Sequence, residues 1–247
     1  MAKISKQKAK LHHQAEEYLA KDKLTLSEKE FVYANWLPSY DHNTGWIAAF
    51  FTPIDMTYEF TIYCPDSGRI VDLAAGIGGL SFALLQRSKW NKDNLDLVCI
   101  ERSQKFYEVG KKLLPEATWI RGDIFDEETW KELGRFSYAI SNPPFGQIKQ
   151  SKNGWLGYNG VADLMAVEVA MKVADGATFI LPQNSVPFKL SGVQGYERVE
   201  SRNFEALKKV MPNLSFQCSS SDTDIWKKEW LDTSPTVEIV TIGKERV

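Results

Sequence analysis

The strongest constraint on the fold is an apolar strand sequence that leads directly into a glycine-rich turn and then an apolar helix. Residues 70–74 are typical of a buried strand, residues 75–79 hold three glycines, and residues 80–85 begin a helix. A strand followed at once by a helix is half of a crossover between parallel strands. Glycines have no Cβ, so a ligand can approach the backbone N–H groups at the helix start. The stretch predicts an open α/β sheet that binds a ligand at this turn.

Further strand sequences alternate with helical patterns along the chain, as in a doubly wound parallel sheet. Two late apolar runs near the C-terminus predict an antiparallel pair that completes a sheet of seven strands. The expected strands after the first lie at residues 95–100, 117–120, 136–140, 177–182, 214–218 and 237–242, and the expected helices among them lie at residues 104–114, 163–173 and 198–210.

Chemically distinctive groups follow the first four strand sequences. Asp72 precedes the glycines, Glu101 ends the second strand, and Asp123 follows the third. The fourth strand runs into Asn-Pro-Pro-Phe at residues 142–145, where two prolines without N–H groups force the chain out of the sheet. The carboxyl ends of parallel strands meet at one edge of a sheet, so these four groups are expected to converge.

The Asn-Pro-Pro-Phe turn (residues 142–145) can recognise an amino group. The Asn142 side chain and the Pro143 carbonyl offer two acceptors, and an exocyclic amine has two hydrogens to donate. Phe145 can stack on the ring that carries the amine. A turn after an edge strand is the alternative. The tetrapeptide resembles the catalytic motif of amino-methyltransferases that use S-adenosylmethionine, including DNA adenine-N6 enzymes; with Gly146 it is particularly similar to the modification subunits of type I restriction systems.

Other segments resemble the cofactor site of the same enzymes. The order Asp-x-x-x-Gly-x-Gly resembles their cofactor-binding turn, although Leu73 replaces the proline that many of them have there, and NAD-type binding is the competing interpretation of a glycine turn. Phe51-Thr52-Pro53 resembles the segment that holds the methionine end of the cofactor, and Gly122-Asp123-Ile124-Phe125 resembles the adenine seat. Glu101 lies at the spacing of an acid that binds ribose hydroxyls.

The resemblance and the spacing together give two sets of site residues. The cofactor set is Phe51, Thr52, Pro53, Asp72, Ala74, Gly76, Gly78, Glu101, Asp123, Ile124 and Asn142, and the catalytic set is Asn142, Pro143, Pro144 and Phe145.

The N-terminal region is expected to form helices. A lysine-rich helix should reach about residue 20, and a helix from Pro53 to about Tyr63 should be capped by Thr52. Between them, Thr25 with Glu28 and Ser27 with Glu30 both have capping-box spacing. The resemblance implies an α/β, Rossmann-like, seven-stranded methyltransferase fold. Its expected division is a helical cap with the Thr-Pro segment over residues 1–66 and a methyltransferase core over residues 67–247.

Composition limits the function classes. The 247 residues carry a net charge of −2, which argues against a stand-alone, tight nucleic-acid binder. Three scattered cysteines and three early histidines predict no metal site and no disulfide framework. No apolar run is long enough for a membrane span and no secretory signal is visible, so a cytoplasmic location is expected.

The expected activity is methyl transfer from S-adenosyl-L-methionine to an exocyclic amine, with adenine N6 in DNA as the first candidate for the acceptor. Ribosomal RNA bases and a protein glutamine are alternatives, and so is a non-catalytic binding subunit or decoy of a restriction-modification complex. Only about 60 residues follow the fifth strand, and they are needed to finish the sheet. The lone chain should therefore bind nucleic acid weakly, with DNA expected ahead of RNA. A separate specificity subunit is a possible partner. The expected contacts are the loop 147–160 with Lys149, Lys152, Trp155 and Tyr158, the insert 219–234 with Trp226, Lys227, Lys228 and Trp230, and the N-terminal Lys3, Lys6, Lys8 and Lys10. Packing against the sheet edge is the alternative for the insert aromatics, and a solvated helix is the alternative for the N-terminal lysines.

Overall fold

The computed structural model describes residues 5–37, 51–92, 94–147, 156–231 and 234–245. Helices lie on both faces of one large sheet, and a two-stranded ribbon follows the fifth strand. The helices are α1 Lys6–Leu19, α2 Leu26–Asn35, α3 Ile54–Thr61, α4 Gly79–Asn91, α5 Gln104–Leu113, α6 Ala162–Val173 and α7 Arg202–Val210. The strands are β1 Gly68–Leu73, β2 Leu95–Glu101, β3 Thr118–Arg121, β4 Tyr138–Ser141, β5 Ala177–Pro182, β6 Phe188–Lys189, β7 Glu197–Arg198, β8 Leu214–Cys218 and β9 Val237–Lys244.

The large sheet has seven strands in the order β3-β2-β1-β4-β5-β9-β8. The five strands from β3 to β5 are parallel, and β9 and β8 are antiparallel to their neighbours, as predicted. The chain reverses its winding direction between β1 and β4, where a crevice opens at the carboxyl ends of the strands. Because β4 lies between β1 and β5, the alternative of a turn after an edge strand is wrong.

Side chains along the central strands alternate between the two faces of the sheet, which produces two apolar layers. Val71 and Leu73 pack in the layer that contains α6, whereas Ile70 packs in the layer that contains the N-terminal helices and α4. Strands buried on both faces are expected for a parallel sheet between helices. In α6, 11 of 12 residues are buried, so this helix lies inside the molecule and its position is fixed from all sides.

The N-terminal helices form largely where they were predicted. Thr25 and Glu28 make the reciprocal capping box that starts α2. The expected cap of α3 is wrong: the helix begins after Pro53 without a side-chain cap, and the Thr52 hydroxyl instead accepts a hydrogen bond from Asn142. All three helices pack in the same apolar layer as β1 and α4. The boundary at residue 66 stays a prediction.

The C-terminal region differs from expectation in two places. Helix α7 begins at Arg202 rather than near Arg198, because residues 197–198 pair with β6. In the insert, Trp230 is buried and Trp226 packs at the margin of the core, in the apolar layer that contains β9 and the N-terminal helices. No helix in the described part of the chain is both long and apolar enough to cross a membrane.

Candidate active site

A cavity opens at the carboxyl edge of the sheet, around the point where β1 and β4 diverge. It brings together most of the residues predicted from the sequence, whereas Pro53 and Gly78 are not among its lining residues. The predicted residues that line it are Phe51, Thr52, Asp72, Ala74, Gly76, Glu101, Asp123, Ile124, Asn142, Pro143, Pro144 and Phe145.

The glycine turn between β1 and α4 has a left-handed backbone at three positions. Gly76 and Gly78 have φ values of 58° and 87°, as a glycine readily allows, and Ala74 has φ 56°. A Cβ at Gly76 would lie 3.1 Å from the ring of Phe51, so the glycine also preserves space against the Thr-Pro segment. Gly78 is the N-cap of α4, which aims the start of the helix at the cavity. Gly78 therefore contributes to the site through the geometry of the turn, because it is not among the lining residues.

Glu101 fastens the glycine turn to the end of β2. One carboxylate oxygen accepts the Gly76 N–H at 2.8 Å, and the other accepts the Ser103 N–H at 2.7 Å. The side chain is mostly buried, and that burial raises the pKa of Glu101 above its ordinary value. Each carboxylate oxygen has two lone pairs, so acceptor capacity is left for ligand hydroxyl groups.

Asp72 is the most deeply buried acid of the cavity. Its carboxylate accepts the Ser81 hydroxyl at 2.7 Å, and only 1% of the residue is exposed. Burial, opposed by the hydrogen bonds from Ser81 and aided by the nearby Glu101, raises the pKa of Asp72 to about 7. A ligand cation placed here would favour the ionised carboxylate.

The opposite end of the cavity is formed by the segment after β3. Asp123 accepts the Phe125 N–H at 2.9 Å and forms an ion pair with Arg102 at 3.3 Å. Ile124 and Phe125 are buried and line the cavity with apolar surface. A carboxylate beside apolar side chains suits a flat heterocycle that carries an amino group.

The Asn-Pro-Pro-Phe turn is held on both sides. The Ser141 hydroxyl donates to the Leu73 carbonyl, which ties the end of β4 to the end of β1. The Asn142 side-chain nitrogen donates to the Thr52 hydroxyl at 2.9 Å. After Phe145, the Gly146 N–H donates to Asp163 at 3.0 Å, and its carbonyl accepts the Ala162 N–H at 2.7 Å.

Two aromatic residues that line the cavity, Tyr33 and Phe106, were not predicted from the sequence. Tyr33 of α2 and Phe106 of α5 line it, and Phe51 stacks on Trp36 with ring centroids 5.9 Å apart. Phe106 lies in the first turn of the helix that follows Glu101, so its position after β2 was the available signal. Tyr33 gave no signal, because only tertiary packing brings α2 beside the glycine turn.

Comparisons with known proteins give a likeness of fold. No protein-family model matches the chain, and no curated protein matches it in sequence. A candidate class I S-adenosylmethionine-dependent methyltransferase from Listeria monocytogenes matches with a TM-score of 0.60 and 12% identity, over 97% of this chain and 88% of that one. A candidate RNA methyltransferase from Pyrococcus horikoshii matches with a TM-score of 0.57 and 16% identity, over 90% and 100%.

A third similar structure is a type I restriction-modification methyltransferase subunit from Streptococcus thermophilus. It matches with a TM-score of 0.59 and 13% identity over 94% of this chain, but the chain spans only 53% of that subunit. The shared architecture, together with the strand order, confirms the predicted fold class. The chain has the Rossmann-like, seven-stranded fold of S-adenosylmethionine-dependent methyltransferases.

Proposed function

We propose that this protein binds S-adenosylmethionine in the cavity and methylates an exocyclic amino group, with adenine N6 in DNA as the first candidate. The observation that supports this most is that the Asn-Pro-Pro-Phe turn and the glycine turn line one cavity. An amine recognised by Asn142 would then lie beside a methyl donor held by the glycine turn.

The cavity residues fit the chemistry of the cofactor. S-adenosylmethionine carries an ammonium, a carboxylate, two ribose hydroxyls and an adenine amine. Asp72, Glu101 and Asp123 supply acceptors for its donors, and the first turn of α4, where Gly79 lines the cavity, supplies N–H groups for its carboxylate. Ile124 would cover the adenine ring. When bound, the cofactor supplies a methyl group on a sulfonium, which is a strong electrophile.

The Asn-Pro-Pro-Phe turn would make the amine nucleophilic. The lone pair of an aromatic amine is delocalised into the ring, so nitrogen attacks poorly until it becomes pyramidal. The Asn142 side-chain oxygen and the Pro143 carbonyl would accept its two hydrogens, favour that geometry and stabilise the positive charge that develops on nitrogen. The two prolines restrict the backbone, so the acceptors need little reorganisation.

Phe145 would receive the base once it has left its stack. The ring lines the cavity one residue after the prolines and offers a face for stacking. An aromatic ring here favours a nucleobase over an aliphatic side-chain amide, which supports a nucleic-acid substrate ahead of a protein glutamine. RNA remains the second candidate, because the fold match to the candidate RNA methyltransferase covers all of that protein.

Incubation with methyl-labelled S-adenosylmethionine and, in turn, DNA, ribosomal RNA and protein would test the proposal. We expect label in adenine N6 of DNA, and we expect N142A to abolish transfer while its cofactor affinity, measured by calorimetry, stays within about threefold of wild type. N142D should keep part of the activity, since an acid retains an acceptor. Transfer by N142A at the wild-type rate, or calorimetric binding of NAD instead of the cofactor, would overturn the proposal.

A further inference from the structure

We infer that Asp163 is a positioning residue for methyl transfer, because it anchors the Asn-Pro-Pro-Phe turn to the buried helix α6. The inference rests on the proposed function and adds to it a residue outside the cavity. Asp163 lies at the start of α6, is 1% exposed, and is not among the residues that line the cavity.

The contact is made through the residue that directly follows the turn. Asp163 accepts the Gly146 N–H at 3.0 Å, and the Ala162 N–H donates to the Gly146 carbonyl at 2.7 Å. Both backbone polar groups of Gly146 are therefore bonded to the first turn of α6. Gly146 has φ 78°, a left-handed conformation that lets the chain turn from Phe145 toward the helix.

The turn itself has few means of being held by its own backbone. Pro143 and Pro144 carry no N–H groups, so a donor-based anchor must lie beside them. Upstream, Ser141 donates to the Leu73 carbonyl and fixes the end of β4. Downstream, the bond from Gly146 to Asp163 fixes the end of the turn. The Pro143 carbonyl and the Phe145 ring lie between these two anchors.

A second bond holds the Asp163 carboxylate in place. Its other oxygen accepts the Ser185 hydroxyl at 2.6 Å, from the short helical turn that follows β5. Burial raises the pKa of Asp163, whereas the bonds from Ser185 and Gly146 favour its ionised form. Asp163 therefore joins the ends of β4 and β5 and the start of α6. A buried acid is costly to maintain unless it is bonded in this way.

Methyl transfer is sensitive to the placement of the groups that align the two reactants. A shift of about 1 Å in a group that aligns reactants can cost about 100-fold in rate. Loss of the bond to Asp163 leaves the Gly146 carbonyl bonded to Ala162 but releases the Gly146 N–H, which loosens the end of the turn that carries Phe145 and the Pro143 carbonyl. Asp72 and Glu101 lie on β1 and β2 and do not contact Asp163. Cofactor affinity should therefore change little.

Three substitutions separate positioning from general stability. D163A removes both bonds and should lower kcat by about 10- to 100-fold while the cofactor Kd stays within about threefold. D163N should restore most of the rate, because its amide oxygen can accept from Gly146 while its nitrogen donates to the Ser185 hydroxyl. T178V is the control. Thr178 lies on the central strand β5, is buried and is not among the residues that line the cavity. The substitution removes the hydrogen bond that its hydroxyl donates to the Tyr63 carbonyl.

The experiment combines single-turnover rates on the substrate labelled by wild type with amide exchange by NMR. The Gly146 N–H should exchange slowly in wild type and D163N and at least tenfold faster in D163A. T178V should lose stability but keep kcat within about twofold. Wild-type kcat in D163A, or an unchanged Gly146 exchange rate, would overturn the role of Asp163 and leave the proposed function standing. A wild-type protein that methylates neither nucleic acid nor protein would refute both.

Discussion

The side chain of Asn142 is held by a hydrogen bond to Thr52. Its nitrogen donates to the Thr52 hydroxyl at 2.9 Å, so the amide oxygen lies on the other side of the group. An amide placed the other way round would offer hydrogens to an amine that also donates. Thr52 therefore has a role beyond the cofactor contact predicted from the sequence: by accepting from the amide nitrogen, its hydroxyl holds the Asn142 side chain with the oxygen available as an acceptor.

We expect T52V to lower kcat by about tenfold in the wild-type background, because valine keeps the shape of threonine but cannot accept. In N142D both side-chain atoms are oxygens, so orientation no longer matters and T52V should cost less than threefold. The measurement is a double-mutant cycle on kcat, with T52S as the control that keeps the hydroxyl. Equal losses in the two backgrounds would assign Thr52 to cofactor binding alone.

Asp72 should make both stability and cofactor binding depend on pH. Burial raises the pKa of Asp72 in the folded protein to about 7 from its ordinary value of 3.8. Between these values the folded state holds a proton that the unfolded state has released, so the free energy of unfolding falls as pH rises from about 4 through 7. Among the described residues, four titratable groups interact with Asp72: Glu101 and Cys99 on β2, Tyr33 on α2, and Cys64.

We expect D72N to be more stable than wild type at pH 8, by on the order of 4 kcal/mol, and to lose that advantage near pH 4. The cofactor should bind wild type more tightly as pH rises from 6 to 8, since its ammonium favours the ionised acid, and D72N should bind weakly with little pH dependence. Urea unfolding and calorimetry at four pH values measure both effects. Parallel stability profiles of the two proteins would contradict the assignment.

The residues that carry chemistry were readable from the sequence, but their partners were not. Asp72, Glu101, Asp123 and the Asn-Pro-Pro-Phe turn each follow a strand, and parallel strands bring their ends together. The bond between Asn142 and Thr52 spans 90 residues of chain. No local pattern encodes such a pair, which depends on how α3 packs beside β4.

At the scale of elements, the ring of Trp119 on β3 forms a wedge that packs against two glycines, Gly110 of α5 and Gly78 at the start of α4. Its benzo ring fills the notch at Gly110 of α5, where an added Cβ would collide with it, and it lies 3.0 Å from where a Cβ of Gly78 would stand. The indole N–H donates to the Leu114 carbonyl at 3.0 Å, which fixes the ring. The glycine at position 110 thus provides space, and the wedge links α5 to the start of α4.

We expect G110A to lower the free energy of unfolding by about 1–3 kcal/mol through overpacking, even though alanine favours a helix by about 1 kcal/mol over glycine. In the W119F background the far ring is gone, so the same substitution should become neutral or stabilising. Urea unfolding of the four proteins tests this reversal of sign. A loss of equal size in both backgrounds would show that the ring of Trp119 is not the cause.

Element boundaries were predictable where periodic patterns are long and missed where tertiary contacts decide. The strands β1, β2 and β5 and the helices α5 and α6 lie within two residues of expectation, because their apolar runs end at clear turn signals. The ribbon of β6 and β7 was missed, since two residues on each side give no alternation to detect. It also displaced the predicted start of α7.

At the scale of the whole molecule, charge should keep nucleic-acid binding weak. The net charge is −2, and two cations of the expected contact segments have partners within the chain: Lys227 pairs with Asp224, and Lys8 donates to the Leu231 carbonyl. The expected contacts Lys3, Lys149, Lys152 and Trp155 lie outside the described residues. Tyr158, at the end of the same loop, is buried.

We expect micromolar or weaker binding of DNA or RNA by the isolated protein at physiological salt, with affinity that falls steeply as salt increases. Fluorescence anisotropy between 50 and 200 mM salt would give the slope of log Kd against log salt, from which the number of phosphate contacts follows. Nanomolar, sequence-specific binding without a partner would contradict this expectation and would favour recognition by the short segments of the chain itself.

The near-complete burial of α6 has a consequence for how this protein can change. A substitution on a helix surrounded by core is usually lost to selection, because it creates a cavity or a clash. Variation that persists in a library of random mutants should therefore concentrate at exposed positions outside α6, including those of the ribbon and the insert. Since the reactive turn is attached to this buried helix, new substrate preferences can accumulate at those exposed positions without disturbing the chemistry.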